Sequence, residues 1–337
     1  MSKPRGCLGC LVLLMVLCAA GWVAGRWYLG PYSRGTPETF VDIEHGMSSR
    51  QIAQRLADKG IVRSPWAFLA VRLLHPQAPL QAGEYRFGTE QTPAQVFDKI
   101  RRGQIFVEYL TVPEGSNIFD IANLLSTQIV SIPAADFLKA SADPLPIHDL
   151  DPQAPSLEGY LFPSTYQITH RTTAKQLCRM MTDEFHTQWK TLMAGGAPAD
   201  LDVHRIVTLA SLVEKESASR QERPEVASVF VNRLRLNMPL QCDPTTVYAA
   251  LLENRYSGVI HRSDLASKNL YNTYAHVGLP PGPIANPGLD SLKAALHPAN
   301  TNFLYFVAKP DGSGSHQFST TLREHDKAVA AYRHGGH

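Results

Sequence analysis

The feature that most restricts this chain is a stretch of twenty residues without a charged side chain, Gly6 to Gly25, between Arg5 and Arg26. As a helix rising ~1.5 Å per residue it would be about 30 Å long, the thickness of the hydrocarbon core of a bilayer. Lys3 and Arg5 precede it, and positive charges of this kind stay in the cytoplasm. We therefore expect a single membrane span, with everything after Arg26 on the far side.

A cleaved signal peptide is the alternative to a retained anchor. It would have a shorter apolar region and an exit site of the A-x-A type, and no convincing site lies around residues 20–24. A retained anchor fits better. No other stretch approaches the ~18 apolar residues that a second span requires.

The amino-acid composition indicates that the rest of the chain is folded. Of the 337 residues, 44% are hydrophobic, which is enough for proper cores and for roughly two or three domains. The 32 Lys and Arg residues against 30 Asp and Glu give a formal net charge of +2, so we expect no nucleic-acid partner bound through a basic surface. The 24 Pro and 23 Gly residues favour a loop-rich mixed fold.

An internal repeat follows the anchor. Residues 41–56 and 110–125 both begin with alternating apolar residues, turn at a glycine (Gly46 or Gly115), and enter a helix through polar capping residues. This strand–turn–helix unit resembles half of a LysM-like module, a small βααβ fold that holds glycan. A generic α+β packing unit explains the pattern equally well.

These signals predict an α+β fold. A strand is expected at 82–87 and a helix at 91–100, capped by Thr92. The expected organisation is a cytoplasmic start and transmembrane helix at 1–29, a linker at 30–36, a LysM-like glycan-binding subdomain at 37–108, a second strand–turn–helix unit with a connector at 109–150, and a mixed α+β catalytic domain at 151–337.

The helix predicted over Val203–Ser217 carries two glutamates. Glu214 continues an apolar stripe, whereas Glu216 lies about 200° away on a more polar side. A carboxyl on a desolvated face keeps its proton to higher pH, as a general acid must. The pattern makes Glu214 a candidate acid, but taken alone it favours the competing interpretation, a glutamate at the end of the stripe that pairs with a cation or reaches solvent.

Other chemistries find less support. The sequence contains no His-Glu-x-x-His helix and no phosphate-binding loop, and its histidines lack ligand spacing, so we expect neither a metal nor a cofactor. Residues 312–316 are better explained as a hairpin turn between strands at 304–308 and 316–318 than as a nucleophile motif. Cys178 and Cys242 either pair or remain free thiols.

Several ordered motifs resemble the endolytic murein transglycosylases (the MltG or YceG-like family). The helix segment Leu209-Ala-Ser-Leu-Val-Glu-Lys-Glu-Ser217 is similar to the catalytic helix of that family. The further matches lie, in order, at 157–163, 226–234, 240–245, 271–274, 278–284, 286–288, 291–295 and 305–307. Small departures occur at Ser164, Ser217 and Cys242, where the family often has Asp, Thr, and Thr or another small residue.

The resemblance implies a membrane-anchored lytic transglycosylase that cuts the bond between N-acetylmuramic acid and N-acetylglucosamine within nascent glycan strands. It implies 1,6-anhydromuramyl ends, termination of strand elongation, and Glu214 as a single acid and base. It also implies the inner (cytoplasmic) membrane with the catalytic part in the periplasm, peptidoglycan as partner, and the peptidoglycan synthases as further partners. Polar residues inside the matched motifs are candidates for substrate binding: Glu158, Gln241, Asp243, Asn272 and Tyr274.

Two other functions compete with this interpretation. One is a catalytically silent glycan-binding scaffold, and the other is a hydrolase of the same bond that leaves reducing ends. Ordinary glycosidases use two carboxyl groups. No obvious second carboxylate stands out in the sequence, which is compatible with the transglycosylase and does not exclude a distant second carboxylate.

Overall fold

The computed structural model describes residues 6–33, 38–88, 90–129, 131–196, 201–217 and 219–335. The predicted cytoplasmic start (1–5) and the end of the predicted linker (34–36) lie outside these ranges. The fold is α+β, as predicted, and it divides into two compact units, Met1–Glu108 and Tyr109–His337.

The first unit begins with the predicted apolar helix. Helix α1 spans Gly6–Leu29, and its segment Leu11–Leu29 is long and apolar enough to cross a membrane. None of that segment is buried against the rest of the protein. This exposure is what a lipid-facing helix requires, because a soluble core helix of this length would be covered.

A βααβ arrangement follows in the first unit. Strand β1 (Thr39–Ile43), helices α2 (Ser49–Asp58) and α3 (Pro65–Leu74) and strand β2 (Gly83–Phe87) come in order, and β1 pairs antiparallel with β2. Helix α4 (Pro93–Arg101) completes the unit and starts at the predicted Thr92 cap. The unit has a hydrophobic core of its own, built from residues 41–100.

The second unit holds the remaining elements around one larger core that runs from Leu110 to Ala295. They are β3 (Glu108–Thr111), α5 (Ile118–Gln128), α6 (Ala134–Ser141), β4 (Thr165–Ile168), α7 (Ala174–Met193), α8 (Val203–Glu216), α9 (Arg223–Arg235), α10 (Asp243–Leu252), α11 (Arg262–Leu265), α12 (Leu289–Leu296), β5 (Tyr305–Ala308), β6 (His316–Ser319) and α13 (Leu322–Gly335). The predicted hairpin is confirmed, since β5 and β6 pair antiparallel.

The repeat noted in the sequence is a structural repeat. Gly46 and Gly115 both adopt positive φ, 85° and 76°, a conformation that favours glycine. Strand β3 pairs with β4, with α5 and α6 between them in the chain, so the second copy is also a βααβ arrangement. Its last strand lies beyond residue 151, and residues 109–150 therefore share one core with the region that follows them.

Helix α8 lies in the middle of the second unit. It contacts α9, α10 and α12, and every side chain from Val207 to Val213 is buried. Because neighbours cover the helix on several sides, the more polar side that carries Glu216 is not a solvent face: Thr208 and Leu212, which lie on it, are fully buried.

Candidate active site

A cavity of about 310 Å³ opens in the second unit where helix α8 ends. Its polar lining comes from the last residue of α8, from α9, from the segment before α10 and the first residue of α10, from the loop before α12, and from α13. The lining residues are Glu216, Val229, Phe230, Arg233, Leu240, Gln241, Asp243, Tyr274, Phe306 and His325. Carboxyl, amide and phenol groups against an apolar wall suit a polar ligand with apolar faces, such as a sugar.

Glu216 is one of two carboxyls in this lining, with Asp243. Burial raises its pKa above the ordinary value of 4.5; a hydrogen bond with the Cys242 thiol lowers it, and the nearby Asp243 carboxylate raises it further. In the part of the chain that the structure describes, no cation lies within ion-pair distance of Glu216, and Arg233 and His316 act on it only through space. Glu216 is thus held in surroundings that favour its protonated form.

Asp243 and Tyr274 form a fixed pair beside Glu216. The Tyr274 hydroxyl donates to Oδ1 of Asp243 at 2.6 Å, and Asp243 is the first residue of α10, where the helix dipole favours negative charge. Gln241 precedes them with φ of +52°, an uncommon conformation for a residue other than glycine, and its N–H donates to the Thr273 carbonyl at 3.2 Å. The segment before α10 is therefore held in a strained backbone conformation next to the cavity.

Arg233 connects several of the elements that line the cavity. Its guanidinium donates to the carbonyls of Leu304, Pro239 and Leu240 at 2.7, 3.2 and 2.9 Å and lies over the Tyr305 ring at 5.1 Å. One buried side chain thus joins α9, the loop before α10 and the hairpin. Its donors are largely used by the protein, so its direct contribution is positioning.

Glu214 does not line the cavity. Its side chain is 5% exposed; Oε1 accepts from Nη2 of Arg223 at 2.7 Å, and Oε2 accepts the Gly288 N–H at 2.9 Å. The Arg223 side chain is equally buried, and Gly288 caps α12. One oxygen is thus engaged by a cation and the other by a helix N-terminus, and neither is free to face the cavity.

The sequence-based reason for preferring Glu214 over Glu216 is therefore wrong in its geometry. Glu214 does lie on a buried face, as the stripe predicts, but Arg223 meets it there. Of the two glutamates, Glu216 is the one that is desolvated and has no ion-pair partner among the described residues. The competing interpretation, a glutamate at the end of the stripe paired with a cation, describes Glu214 correctly.

Of the five predicted binding residues, the structure brings three to the cavity and leaves two away from it. Gln241, Asp243 and Tyr274 line it, whereas Glu158 and Asn272 are buried elsewhere and engaged within the protein. Asn272 donates to the carbonyls of Leu265 and Ser267 and accepts the Tyr274 N–H, which clamps its own loop.

Glu158 belongs to a buried network around Asn286. Its oxygens accept from the Ile118 N–H and from Nδ2 of Asn286, both at 3.0 Å. Oδ1 of Asn286 accepts the N–H groups of Gly159 and Leu161. Its Nδ2 also donates to the Ser116 carbonyl at 2.8 Å. Burial raises the pKa of Glu158 to about 8 in spite of these donors.

Comparison with known proteins agrees with the motifs. The model of the YceG-like family matches residues 41–331, most of the chain. This chain belongs to the YceG-like family. An endolytic murein transglycosylase of Bacillus subtilis is 31% identical over 94% of this chain and 91% of its own length. One of Streptococcus pneumoniae is 28% identical over 96% of this chain and 64% of its own length.

A crystal structure of a YceG-like protein from Listeria monocytogenes is similar in fold. It has a TM-score of 0.56 and 31% sequence identity, and the match covers 86% of this chain and 98% of that one. The family resemblance drawn from the motifs is thereby confirmed.

Some cavity residues of this YceG-like chain were not among the sequence candidates. Arg233 stands inside the matched segment 226–234, so the motif contained it without assigning it a role. His325 comes from α13, and its buried Nδ1 has no hydrogen-bond partner among the described residues. No sequence pattern linked α13 to Glu216, because only the tertiary fold brings them together.

The structure offers no metal centre among its described residues, where no group of three or more potential ligands occurs. Cys178 and Cys242 are both free and buried, which decides between the two alternatives for them. Burial raises the pKa of both thiols, so they stay protonated and unreactive.

Proposed function

We propose that this protein is an endolytic peptidoglycan lytic transglycosylase in which Glu216 is the single catalytic acid and base. The observation that carries the proposal is a partly buried carboxyl with no ion-pair partner in the described part of the chain, in a sugar-sized cavity beside Gln241, Asp243 and Tyr274. The names of the Bacillus and Streptococcus relatives support the reaction class. The bond cut would join N-acetylmuramic acid to N-acetylglucosamine inside a strand.

The raised pKa of Glu216 suits the first step. The protonated carboxyl donates its proton to the glycosidic oxygen, and the bond between that oxygen and C1 of the muramyl sugar breaks. N-acetylglucosamine leaves with a free hydroxyl, and positive charge develops at C1. The Asp243 carboxylate, fixed by Tyr274, stabilises that charge electrostatically.

The second step restores the enzyme. The C6 hydroxyl of the same muramyl sugar attacks C1, and its proton passes to the Glu216 carboxylate. A 1,6-anhydro ring forms, no water is consumed, and Glu216 is again protonated. Because the attacking hydroxyl belongs to the substrate, one carboxyl serves both steps, and cleavage of a growing strand in this way would end its elongation.

The decisive experiment compares two neighbouring glutamates of one helix. We expect Glu216→Gln to lower turnover by about 10²–10⁴-fold or more with an unchanged melting temperature, because the amide keeps the shape but cannot donate an acidic proton. Glu214→Gln should instead lower the stability by about 3 kcal/mol, since it leaves Arg223 with a broken buried ion pair. Its folded fraction should still cut glycan. The reverse outcome, a stable but inactive Glu214→Gln variant and an active Glu216→Gln variant, would identify Glu214 as the catalytic acid.

Asp243 gives the hydrolase a specific observation in its favour. It is the second carboxyl of the cavity, predicted from the sequence to bind substrate but not to act in catalysis, and a hydrolase could use it to activate water. Mass spectrometry of the products separates the two reactions, because anhydro ends are lighter than reducing ends by one water. Reducing ends from the wild type that disappear in Asp243→Asn would reject the transglycosylase. A protein that binds glycan but never cuts it would instead be the scaffold.

The first unit is proposed to hold glycan. A cavity of about 600 Å³ lies between the loop after β1 and the loop before β2, lined by Ile43, Glu44, His45, Gly46, Met47, Ile52, Leu80, Gln81 and Ala82. Its mixed polar and apolar lining fits a sugar chain, and the βααβ order supports the LysM-like resemblance. Glu44→Ala with His45→Ala should weaken pull-down of the protein by insoluble peptidoglycan. Unchanged retention of the double variant would reject the proposal that this cavity binds glycan.

The orientation is also a proposal. Lys3 and Arg5 support a cytoplasmic start, an anchor in the inner membrane, and both units in the periplasm, beside the synthases that extend the strands. Protease added to spheroplasts should degrade the second unit without lysis of the cells. Protection until lysis would reverse the orientation.

A further inference from the structure

Helix α3 is apolar on every side. Its sequence, Pro-Trp-Ala-Phe-Leu-Ala-Val-Arg-Leu-Leu, contains one charged residue, Arg72, which is used locally. The guanidinium of Arg72 donates to Ser49 and to the carbonyls of His75 and Ala78. A helix that is hydrophobic all round needs apolar surroundings on both faces.

Only one face of α3 finds such surroundings within the unit. Ala67, Phe68 and Val71 are buried in its core. The opposite face presents Trp66, Leu69, Ala70 and Leu73 at helical spacing, with Leu74 beside them. Trp66, Leu73 and Leu74 are 62%, 78% and 77% exposed. Contiguous large apolar side chains of this kind mark an interaction surface.

This face is continuous with the end of the candidate membrane span. A groove of about 690 Å³ has the α3 residues Trp66, Leu69, Ala70 and Leu73 on one wall and the α1 residues Ala24, Gly25, Tyr28 and Leu29 on the other. The Tyr28 hydroxyl meets Oγ of Ser64, the N-cap of α3, at 2.5 Å. The first turn of α3 is therefore fixed at the depth where α1 ends.

The same level carries the side chains typical of a membrane interface. The Arg63 guanidinium lies 4.0 Å from the centre of the Trp27 ring and 4.7 Å from that of Tyr32, and Arg26 lies 5.3 Å from that of Trp22. Aromatic rings with cationic neighbours favour the headgroup region of a bilayer. The bilayer that α1 crosses therefore determines what fills the groove between α1 and α3 at this depth.

We propose that the outer face of α3 is a second membrane contact, which inserts Trp66, Leu69, Leu73 and Leu74 into the acyl-headgroup boundary of the lipid leaflet that α1 leaves. The folded part of the first unit then lies on the membrane surface, and α1 is not its only attachment to the bilayer. The occupant of the groove is lipid, because the wall formed by α1 is itself a lipid-facing surface. The inference depends on α1 being a retained span.

The test uses the full-length protein in liposomes of phosphatidylethanolamine and phosphatidylglycerol with brominated acyl chains. The four tryptophans are Trp22, Trp27, Trp66 and Trp189, and replacing three by Phe leaves one reporter at a time. With Trp66 alone we expect loss of on the order of half of the emission at shallow bromine positions, as for a side chain at the interface. Trp22 alone is the reference for the span.

A matched control and a second probe keep the result interpretable. Gln54 is exposed on α2, and Gln54→Trp in a tryptophan-free background should be quenched much less than Trp66. Leu73→Trp in the same background should be quenched like Trp66 and guards against a local disturbance at position 66. A thermal melt of each variant shows that the first unit is folded.

The outcomes separate the occupants. Quenching of Trp22 and Trp66 that does not vary with the protein-to-lipid ratio supports the proposal. Quenching at Trp22 without quenching at Trp66 or at Leu73→Trp overturns it while leaving the span intact. Loss of quenching at both sites overturns the span as well. Protection of Trp66 that grows with protein density points to a second copy in the groove and equally overturns a lipid occupant.

Discussion

At the scale of single residues, the chemistry depends on which groups face Glu214 and Glu216. Glu214 meets a buried arginine and the N-terminus of α12, so both of its oxygens are engaged within the protein. Glu216 meets a thiol, a phenol-bound carboxylate and an apolar wall. A carboxyl with the first environment stabilises a fold, and one with the second can hold and release a proton at pH values where ordinary glutamates are ionised.

This difference predicts how activity responds to pH. The working form of Glu216 is protonated, and its pKa is raised, so kcat/KM should fall with rising pH only above the range of an ordinary glutamate. Asp243→Asn removes a charge that raises this pKa and should move the fall to lower pH. Cys242→Ala removes a hydrogen bond that lowers the pKa and should move it to higher pH. Profiles of kcat/KM on short glycans measure both shifts, and equal profiles in all three proteins would assign the titration to another group.

Glu158 predicts a pH effect on stability and not on catalysis. Its pKa is about 8 in the folded protein and near 4.5 when unfolded, so the unfolded chain releases this proton first as pH rises. The folded state therefore loses stability between about pH 4.5 and pH 8, by an amount on the order of a few kcal/mol. In Glu158→Gln this contribution is absent. Denaturant titrations across that range should show the stability difference, wild type minus variant, shrinking with rising pH; a constant difference would contradict the assignment.

At the scale of elements, Asn286 joins segments that are far apart in the chain. Its side chain bonds the turn before α5, through Ser116, to the segment 158–161. Its backbone also exchanges hydrogen bonds with Gly115 and Ser116. Two residues later, Gly288 donates to Glu214. One loop thereby fixes α5, α8 and α12 relative to one another, and with them the end of α8 that carries Glu216.

We expect Asn286→Ala to lower the free energy of unfolding by about 3–5 kcal/mol, because it leaves the buried N–H groups of Gly159 and Leu161 without their acceptor and removes one of two donors to the Ser116 carbonyl. Asn123→Ala, at an exposed position of α5, is the matched control and should change stability by less than about 0.5 kcal/mol. Denaturant unfolding of both variants makes the comparison. A small effect at Asn286 would mean that water replaces its side chain without loss.

Local patterns predicted the elements better than they predicted the site. The repeat at 41–56 and 110–125, the Thr92 cap and the final hairpin all depend on residues close in sequence, and they are confirmed. The choice between Glu214 and Glu216 depends on what covers each side of α8. Arg223 comes from the next helix and Asp243 from the one after it, so no periodicity within α8 could reveal that one glutamate is paired and the other is not.

At the scale of the whole molecule, the two units have separate hydrophobic cores. One is built from residues 41–100 and the other from residues 110–295. All residues that line the cavity around Glu216 belong to the second core's unit. We therefore expect the second unit to fold and act without the first, which carries the cavity and the apolar α3 face proposed to hold glycan and to contact the membrane.

The last prediction tests this division with a fragment of residues 107–337, which keeps β3 and everything after it. We expect a cooperative melt, because the fragment retains its complete core, and anhydro products from short glycans. On long strands the loss of activity should be larger, since the first unit no longer supplies remote binding energy that holds the polymer. Rates on both substrates, measured beside a thermal melt, separate the causes. A well-folded fragment with equal losses on short and long glycans would reject a role of the first unit in strand binding, and a fragment without a cooperative melt would reject the independence of the two cores.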